Sequence, residues 1–274
     1  SAEQSGDVFT QTPFITPWRF VAMGTAGDIN LTLMPEHLSD PCQIEDTSWI
    51  EPGVTAWTWL NRESTSALAT YKRYVDLAQK MGWEFLLLDE GWQPSGSSVG
   101  KNYYGYFDWT QELIDYANEK GVGLLVWANH NDLKDEAYRT QLLKEWGEMG
   151  FKGIKPDFFN NQSQSYMRLY DSLMKLCAEN KLLFNPHGTH KPTGERRTWP
   201  NTLTREGVFG AAQDLFRPSD MSAQPNILLP FMRTAVGPAD YTPMFPYPVI
   251  GPRPHSPLPP LAAPWEPAGN PPPP

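Results

Sequence analysis

The sequence is short of cysteine, of basic charge and of long apolar runs, and each shortage removes a class of function. Its two cysteines in 274 residues, Cys42 and Cys177, form no Cys-x-x-Cys pair and no Cys/His cluster of the kind that holds zinc. Cys177 falls on a predicted helix face, where a free thiol serves as a small hydrophobe. Lys and Arg number 22 against 31 Asp and Glu, a formal net charge of -9 with a pI near 5.1. An acidic surface repels phosphates, which argues against nucleic acid or an anionic membrane as a partner. No apolar run approaches the roughly 20 residues that a membrane-spanning helix needs. The first residues, from Ser1, carry no signal-peptide pattern; a cleaved leader leaves no trace, so export stays open.

What is present is a core and many rings. The chain is 40% hydrophobic and 13% aromatic, enough for one large α/β domain. Eleven Trp and eleven Tyr suit either a large core or a cleft in which flat rings stack on sugar C–H faces.

Residues 1–50 show no periodicity beyond the apolar stretch Trp18–Met23 and read as a lead-in or linker. A rhythm then begins. Val54–Leu60 is strand-like. Ser66–Met81 is helical, with Leu68, Tyr71, Val75 and Ala78 on one face and Gly82 as the stop. Short apolar segments at 84–89, 122–127, 153–159 and 182–185 alternate with helical segments at 110–120, 136–149 and 164–180. Apolar strands buried on both faces with helices between them imply a parallel sheet, and the number of units favours a (β/α)₈ TIM barrel over 51–245. Leu203–Phe209 is read as a sixth strand with its loop, and Ile227–Ala235 as the approach to a seventh. From Gly251 to Pro274, 11 of 24 residues are proline, which neither strand nor helix tolerates. Residues 246–274 therefore read as a disordered Pro-rich tail, and the barrel as incomplete, its last β/α unit missing.

Asp89, Asn129, Asp157 and His187 fall at or just past the ends of predicted strands, the rim from which barrel active sites are built. In Gly153-Ile-Lys-Pro-Asp157, Lys155 lies two residues before Asp157 and so on the same side of the strand. Its charge would favour an ionised, nucleophilic Asp157; the other reading is a structural Lys–Asp pair closing the barrel top. In Leu88-Asp-Glu-Gly-Trp92, Asp89 suits hydrogen bonds to sugar hydroxyls beside a stacking Trp92, or else a loop cap beside a packed ring. His187 suits a donor to a sugar hydroxyl or a structural role. Glu206 follows Arg205 on the next rim segment and is open to three roles: acid/base, metal ligand or partner of Arg205. Retaining glycoside hydrolysis needs two carboxyl groups about 5–5.5 Å apart, for which spacing alone offers Asp157 and Glu206.

Several strings resemble glycoside hydrolase family 97: Asp46-Thr-Ser-Trp-Ile-Glu-Pro-Gly53, Ala56-Trp-Thr-Trp59, Leu88-Asp-Glu-Gly-Trp92, Gly153-Ile-Lys-Pro-Asp-Phe-Phe159, Arg197-Thr-Trp-Pro-Asn201, Thr204-Arg-Glu-Gly207 and Gly237-Pro-Ala-Asp-Tyr-Thr-Pro243. Together they are specific, and they occur in family order. The resemblance implies an exo-acting, calcium-dependent α-glycosidase of the periplasm or extracellular space, its barrel flanked by β-domains that this sequence does not include. The inverting branch carries Glu where this chain has Gly188; the retaining, α-galactosidase-like branch carries a strand-end Asp where it has Asp157. The resemblance therefore implies an α-linked galactoside or oligosaccharide as substrate. It also recasts Glu206 as a calcium ligand and puts the acid/base at Ala212, where no carboxylate stands. Asp214 would substitute only if the backbone were displaced by about two residues. General acid–base help contributes about 10²–10⁴-fold, so the reading is a glycosidase impaired for poor leaving groups. The alternatives are a sugar-binding barrel without turnover and a truncated fragment without function.

Overall fold

A computed structural model describes residues 8–59, 63–94, 105–210, 212 and 223–243. Five parallel strands form one sheet: β1 (Thr55–Trp57), β2 (Phe85–Leu88), β3 (Gly123–Asn129), β4 (Gly153–Asp157) and β5 (Leu183–Phe184). Their spatial order is their chain order, β1-β2-β3-β4-β5. A doubly wound sheet would reverse direction at a switch point, and these strands do not. Seven α-helices are described: α1 (Ala26–Asn30), α2 (Met34–His37), α3 (Leu68–Met81), α4 (Thr110–Glu119), α5 (Glu136–Met149), α6 (Gln164–Glu179) and α7 (Ala223–Met232). Helices α3 to α6 are the four crossovers between successive strands, as the alternating sequence pattern predicts.

The helix ends follow local chemistry. Asp135 caps α5, its side chain accepting from the Tyr138 amide at 2.8 Å. Helices α3 and α5 stop at Gly82 and Gly150, whose φ values of 69° and 105° suit a residue without Cβ.

Both faces of the sheet are covered, by two separate clusters. Leu86, Leu88, Leu124, Val126, Ile154 and Phe184 belong to the large cluster that includes Tyr71, Leu113, Leu143 and Leu173 of the helices. The opposite face carries a smaller cluster of Phe85, Leu87, Leu125 and Leu183, with Trp49, Ile50, Trp57 and Leu203 packed against it. The strict alternation along β2 is the period of two expected of a strand.

Two expectations need correction. The lead-in before residue 50 is not wholly irregular: it holds α1 and α2, and α1 opens with a capping box between Thr25 and Asp28. Its apolar stretch contributes nothing to the core, since Trp18 and Met23 are exposed. The sixth strand at 203–209 reduces to a single parallel bridge, Arg205 with Ala239. Ile227–Ala235 lies mostly in α7 and a following 3-10 turn, and so runs toward Ala239.

Backbone bonds nonetheless carry the sheet order onward. Phe184 donates to the Asn201 carbonyl (2.9 Å), Glu206 to Pro186 (3.2 Å) and Asp240 to Arg205 (3.0 Å). The segment 201–206 thus lies beside β5, and 239–240 beside 205. The Pro-rich stretch 246–274 and the place of an eighth strand lie outside the described residues.

Candidate active site

Register decides which side chains meet at the C-terminal ends of the strands. Trp127 pairs with Lys155, and Asn129 with Asp157. Residues alternate between faces, so Trp127, Asn129, Lys155 and Asp157 share the face of Leu125, Phe85 and Leu87. This face is thus apolar toward the N-terminal ends of the strands and polar toward their C-terminal ends.

Lys155 is the hinge of this polar layer. It is buried, with Nζ 3.0 Å from Asp89 Oδ2, 3.5 Å from Asp157 Oδ2 and 5.0 Å from the centre of the Trp57 ring. Burial disfavours its ammonium, but the charges of Asp89 and Asp157, the Asp89 hydrogen bond and the charge of Glu206 outweigh that and hold its pKa above the ordinary lysine value. The sequence reading paired Lys155 with Asp157; the structure gives it two carboxylates, the shorter contact being to Asp89.

Asp89 is not free to make the hydrogen bonds to sugar hydroxyls that were one reading of its string. It is 2% exposed, and three donors already claim its oxygens: Lys155, the Trp57 indole N–H and, at 2.7 Å, the Glu90 amide. Its role is to hold Lys155 and Trp57. Trp92 is also corrected. It is 1% exposed, donates its indole N–H to the Trp127 carbonyl at 2.9 Å and packs against Tyr106, Trp146 and Phe151. No face is left for a sugar, so it belongs to the core.

Asp157 ends β4, with 12% of its side chain exposed. Oδ2 faces Lys155 and accepts from the Trp127 indole N–H at 3.3 Å; Oδ1 accepts from the Phe158 amide at 2.7 Å. The chain then turns through left-handed backbone at Phe158 (φ 66°) and Asn160 (φ 37°). Such conformations cost on the order of 1–3 kcal/mol and persist only where the surroundings impose them. Gly188 is one such constraint. Its carbonyl accepts from the Asn160 amide at 2.7 Å, and a Cβ there would lie 2.9 Å from the Phe158 N and Cα. A side chain at 188 and this turn exclude each other, which is a steric reason for glycine after His187.

Glu206 and His187 lie on the neighbouring segments. Glu206 Oε2 accepts from the Gly188 amide at 2.8 Å, and Oε1 is 3.7 Å from His187 Nδ1. His187 Nε2 is 2.6 Å from Asp240 Oδ2. Burial opposes the charged form of Asp240, but the hydrogen bond and charge of His187, with help from Asn185 and Lys155, hold its carboxyl below the usual range. The ring of His187 thus bridges two carboxylates. Glu206 is not the ion-pair partner of Arg205, whose Nε lies 2.7 Å from Glu195.

Calcium takes about 6–8 oxygen ligands. Among the described residues no group of three or more His, Cys, Asp or Glu side chains is set to hold a metal ion, so Glu206 does not complete a calcium site with them. Ala212 has no carboxylate, and Asp214 lies outside the described residues. Glu90, beside Asp89, is an exposed carboxyl pushed above its usual range by partial burial and by the charges of Asp89 and Asp157, against the pull of Lys155.

Sequence reading missed Trp57, Trp127, His130, Glu90 and Asp240. Four of these had a signal: Trp127 precedes Asn129 by one strand period, and Trp57, Glu90 and Asp240 sit in the quoted strings 56–59, 88–92 and 237–243. His130, buried just past β3, had none beyond its position.

The chain is similar to known proteins in both sequence and fold. The family model for glycoside hydrolase 97 matches residues 49–208. A probable retaining alpha-galactosidase of Streptomyces bingchenggensis is 37% identical over 232 residues, which are 83% of this chain and 36% of that protein. A retaining alpha-galactosidase of Bacteroides thetaiotaomicron is 35% identical over 236 residues, 82% of this chain and 35% of that one. The chain thus spans about a third of the length of these curated relatives. Among solved structures, a beta-arabinopyranosidase superposes with a TM-score of 0.68 at 26% identity, covering 78% of this chain and 35% of that one. A family 97 enzyme from Pseudoalteromonas sp. strain K8, in complex with acarbose, also gives 0.68, at 23% identity over 80% of this chain and 39% of that one, a likeness of fold. With well over half of its residues matched by the family model, the chain belongs to glycoside hydrolase family 97.

Proposed function

We propose that this chain is the nucleophile-bearing part of a retaining exo-α-glycosidase of the α-galactosidase type, with Asp157 as nucleophile. The observation that carries the reading is the strand-end carboxylate of Asp157, partly open at the rim and backed by the buried Lys155–Asp89 pair. Family membership and two relatives named as retaining alpha-galactosidases support it. The sequential strand order and its continuation through 201–206 and 239–240 support a closed barrel, whose rim would enclose the substrate.

In the proposed reaction an Asp157 oxygen attacks the anomeric carbon. The bond from that carbon to the leaving oxygen breaks, and its electron pair leaves with the aglycone. Water then cleaves the glycosyl ester, releasing the sugar and a proton and restoring the carboxylate. Trp127 and Phe158 direct hydrogen bonds at Asp157, and Lys155 supplies a fixed positive charge near it. With Ala212 in the acid/base position, an aryl leaving group that departs without a proton is the favoured substrate. Glu206 is proposed as one calcium ligand, with further oxygens drawn from outside the described residues. Export to the periplasm or extracellular space is in keeping with the family resemblance.

The galactoside reading and the arabinopyranosidase neighbour are chemically close. A β-L-arabinopyranoside is the α-D-galactoside ring without its hydroxymethyl group, so assays should include both. A second reading, a sugar-binding barrel without turnover, is favoured by Ala212. An activated aryl α-galactoside separates the two, because it needs no acid. Turnover, or a covalent adduct on Asp157, that Asp157→Ala reduces by on the order of 10⁴-fold or more supports catalysis. Binding with neither adduct nor turnover supports the second reading.

A further inference from the structure

One buried group beside Asp157 has no part in the reaction just described. His130 lies in the 3-10 turn His130–Leu133 that follows β3, and it is 5% exposed. Its Nδ1 is 3.0 Å from the Asp157 carbonyl oxygen, and its Nε2 is 3.1 Å from the Tyr166 hydroxyl. A carbonyl oxygen only accepts, so Nδ1 carries the proton. Burial holds the ring below the ordinary histidine pKa, which keeps it neutral, so Nε2 is bare and accepts from Tyr166. The rings of Phe159 and Tyr166 lie 5.2 and 5.4 Å from it, centre to centre, and fix its plane.

The carbonyl that His130 grips belongs to the same peptide plane as the Phe158 amide. That amide donates to Asp157 Oδ1 at 2.7 Å. Rotating the plane would move both ends together: the carbonyl away from His130 and the N–H away from the carboxylate. The plane opens the left-handed turn, and two of the three non-glycine residues with positive φ among the described residues, Phe158 and Asn160, lie in it. The far side of the turn is tied by Asn160 to Gly188. His130 is the side-chain tie on the near side.

We propose that His130, backed by Tyr166, is a positioning residue that aims the Asp157 carboxylate by clamping the Asp157–Phe158 peptide plane. Its catalytic consequence rests on the reading of Asp157 as nucleophile; the clamp itself does not.

The test uses the full chain and two readouts. The first is the Phe158 amide proton in NMR spectra, with ¹⁵N-histidine spectra reporting the tautomer. The second is the rate at which 5-fluoro-α-galactosyl fluoride labels Asp157, followed by mass spectrometry. In His130→Asn the side-chain amide replaces the Nδ1 donor; in His130→Leu the donor is gone while an apolar group still fills the space. The expected result is a downfield Phe158 amide and a protonated Nδ1 in the wild type, both the amide shift and labelling within about threefold retained in His130→Asn, and labelling about 10²-fold slower in His130→Leu, the scale of a misplacement of about 1 Å. Thermal melts of the two variants check that they are comparably folded.

A protonated Nε2 in the wild type, or a Phe158 amide unmoved in His130→Leu, overturns the clamp. So does equal loss of labelling in both variants at equal stability. A wild type that is never labelled, with a Phe158 amide that still responds to His130→Leu, removes the nucleophile assignment and leaves the clamp standing.

Discussion

The region from β1 to β5 and the region from Pro186 to Pro243 are built by different means. The first is a parallel ladder with apolar cover on both faces, and the buried Asp89, Asn129, Lys155 and Asp157 gather toward the C-terminal part of its strands. The second has a single isolated bridge among its described residues and is tied by long side chains to main-chain carbonyls. Arg233 alone donates to the carbonyls of Arg205, Gly207 and Gly237, each at 3.0 Å. Asn201 does the same toward the first region, reaching the Met174 and Leu182 carbonyls at 3.2 Å. Asp157 stands at the seam: its carbonyl is held from the first region by His130, and its following turn from the second by Gly188. A ladder makes a rigid wall, and the side-chain ties let an irregular chain approach that wall closely enough to complete a site.

The comparison predicts unequal responses to mutation. Lys155→Met strikes the polar rim of the ladder region and leaves Asp89 and Asp157 close together without their cation. We expect a loss of about 3–5 kcal/mol in chemical denaturation, the scale for removing one partner of a buried ion pair. A loss near zero would mean that the rim is wetter than its burial indicates. Arg233→Ala should cost about 2–4 kcal/mol by leaving buried carbonyls unpaired. Hydrogen exchange should rise in 203–210 and 233–240 while β2 to β4 stay protected. A uniform rise would erase the distinction between the regions.

Gly188→Ala tests the seam. A methyl group there meets the Phe158 backbone at 2.9 Å on a residue with φ 53°, so about 1–3 kcal/mol of stability should be lost, together with Asp157 labelling. The smallest expected effect is one of pH. His130 faces Asp132 and Lys134 from its own turn, Asp157 from β4 and Tyr166 from α6. Burial, the largest cause, puts its folded pKa below the unfolded value of about 6.5. Its contribution is therefore fully present above about pH 6.5 and is lost as pH falls toward the folded value, because the unfolded chain takes up the proton first. The difference in stability between wild type and His130→Asn, measured from pH 8 to about pH 5, should shrink on the acid side.

The two regions also differ in how far they could be read. Phe85-Leu-Leu-Leu88 between Gly82 and Asp89 announces a buried strand, and the helices that stop at Gly82 and Gly150 sit where the pattern put them, because period and stop signals are local. The bridge at Arg205 and Ala239 had no such signal: its hydrogen bonds join residues far apart in sequence, and Arg233, which stabilises it, lies just past a helix that displays no charge in its last turn. Asp157 was legible because a carboxylate closing an apolar strand is conspicuous. Trp92 was open to two readings, stacking platform or packed ring, because an indole beside a strand end looks the same on paper whether it faces a cleft or the core; the structure buries it.

Residue type and local period were enough for the alternation of strand and helix and for the sheet face shared by Lys155 and Asp157. Three outcomes needed the folded chain: Lys155 answers to Asp89 as well as Asp157, Trp92 is buried, and His130 grips the peptide that follows the proposed nucleophile. They depend on which neighbouring strand lies in which register, and the separations involved, up to 66 residues from Asp89 to Lys155, carry no local trace.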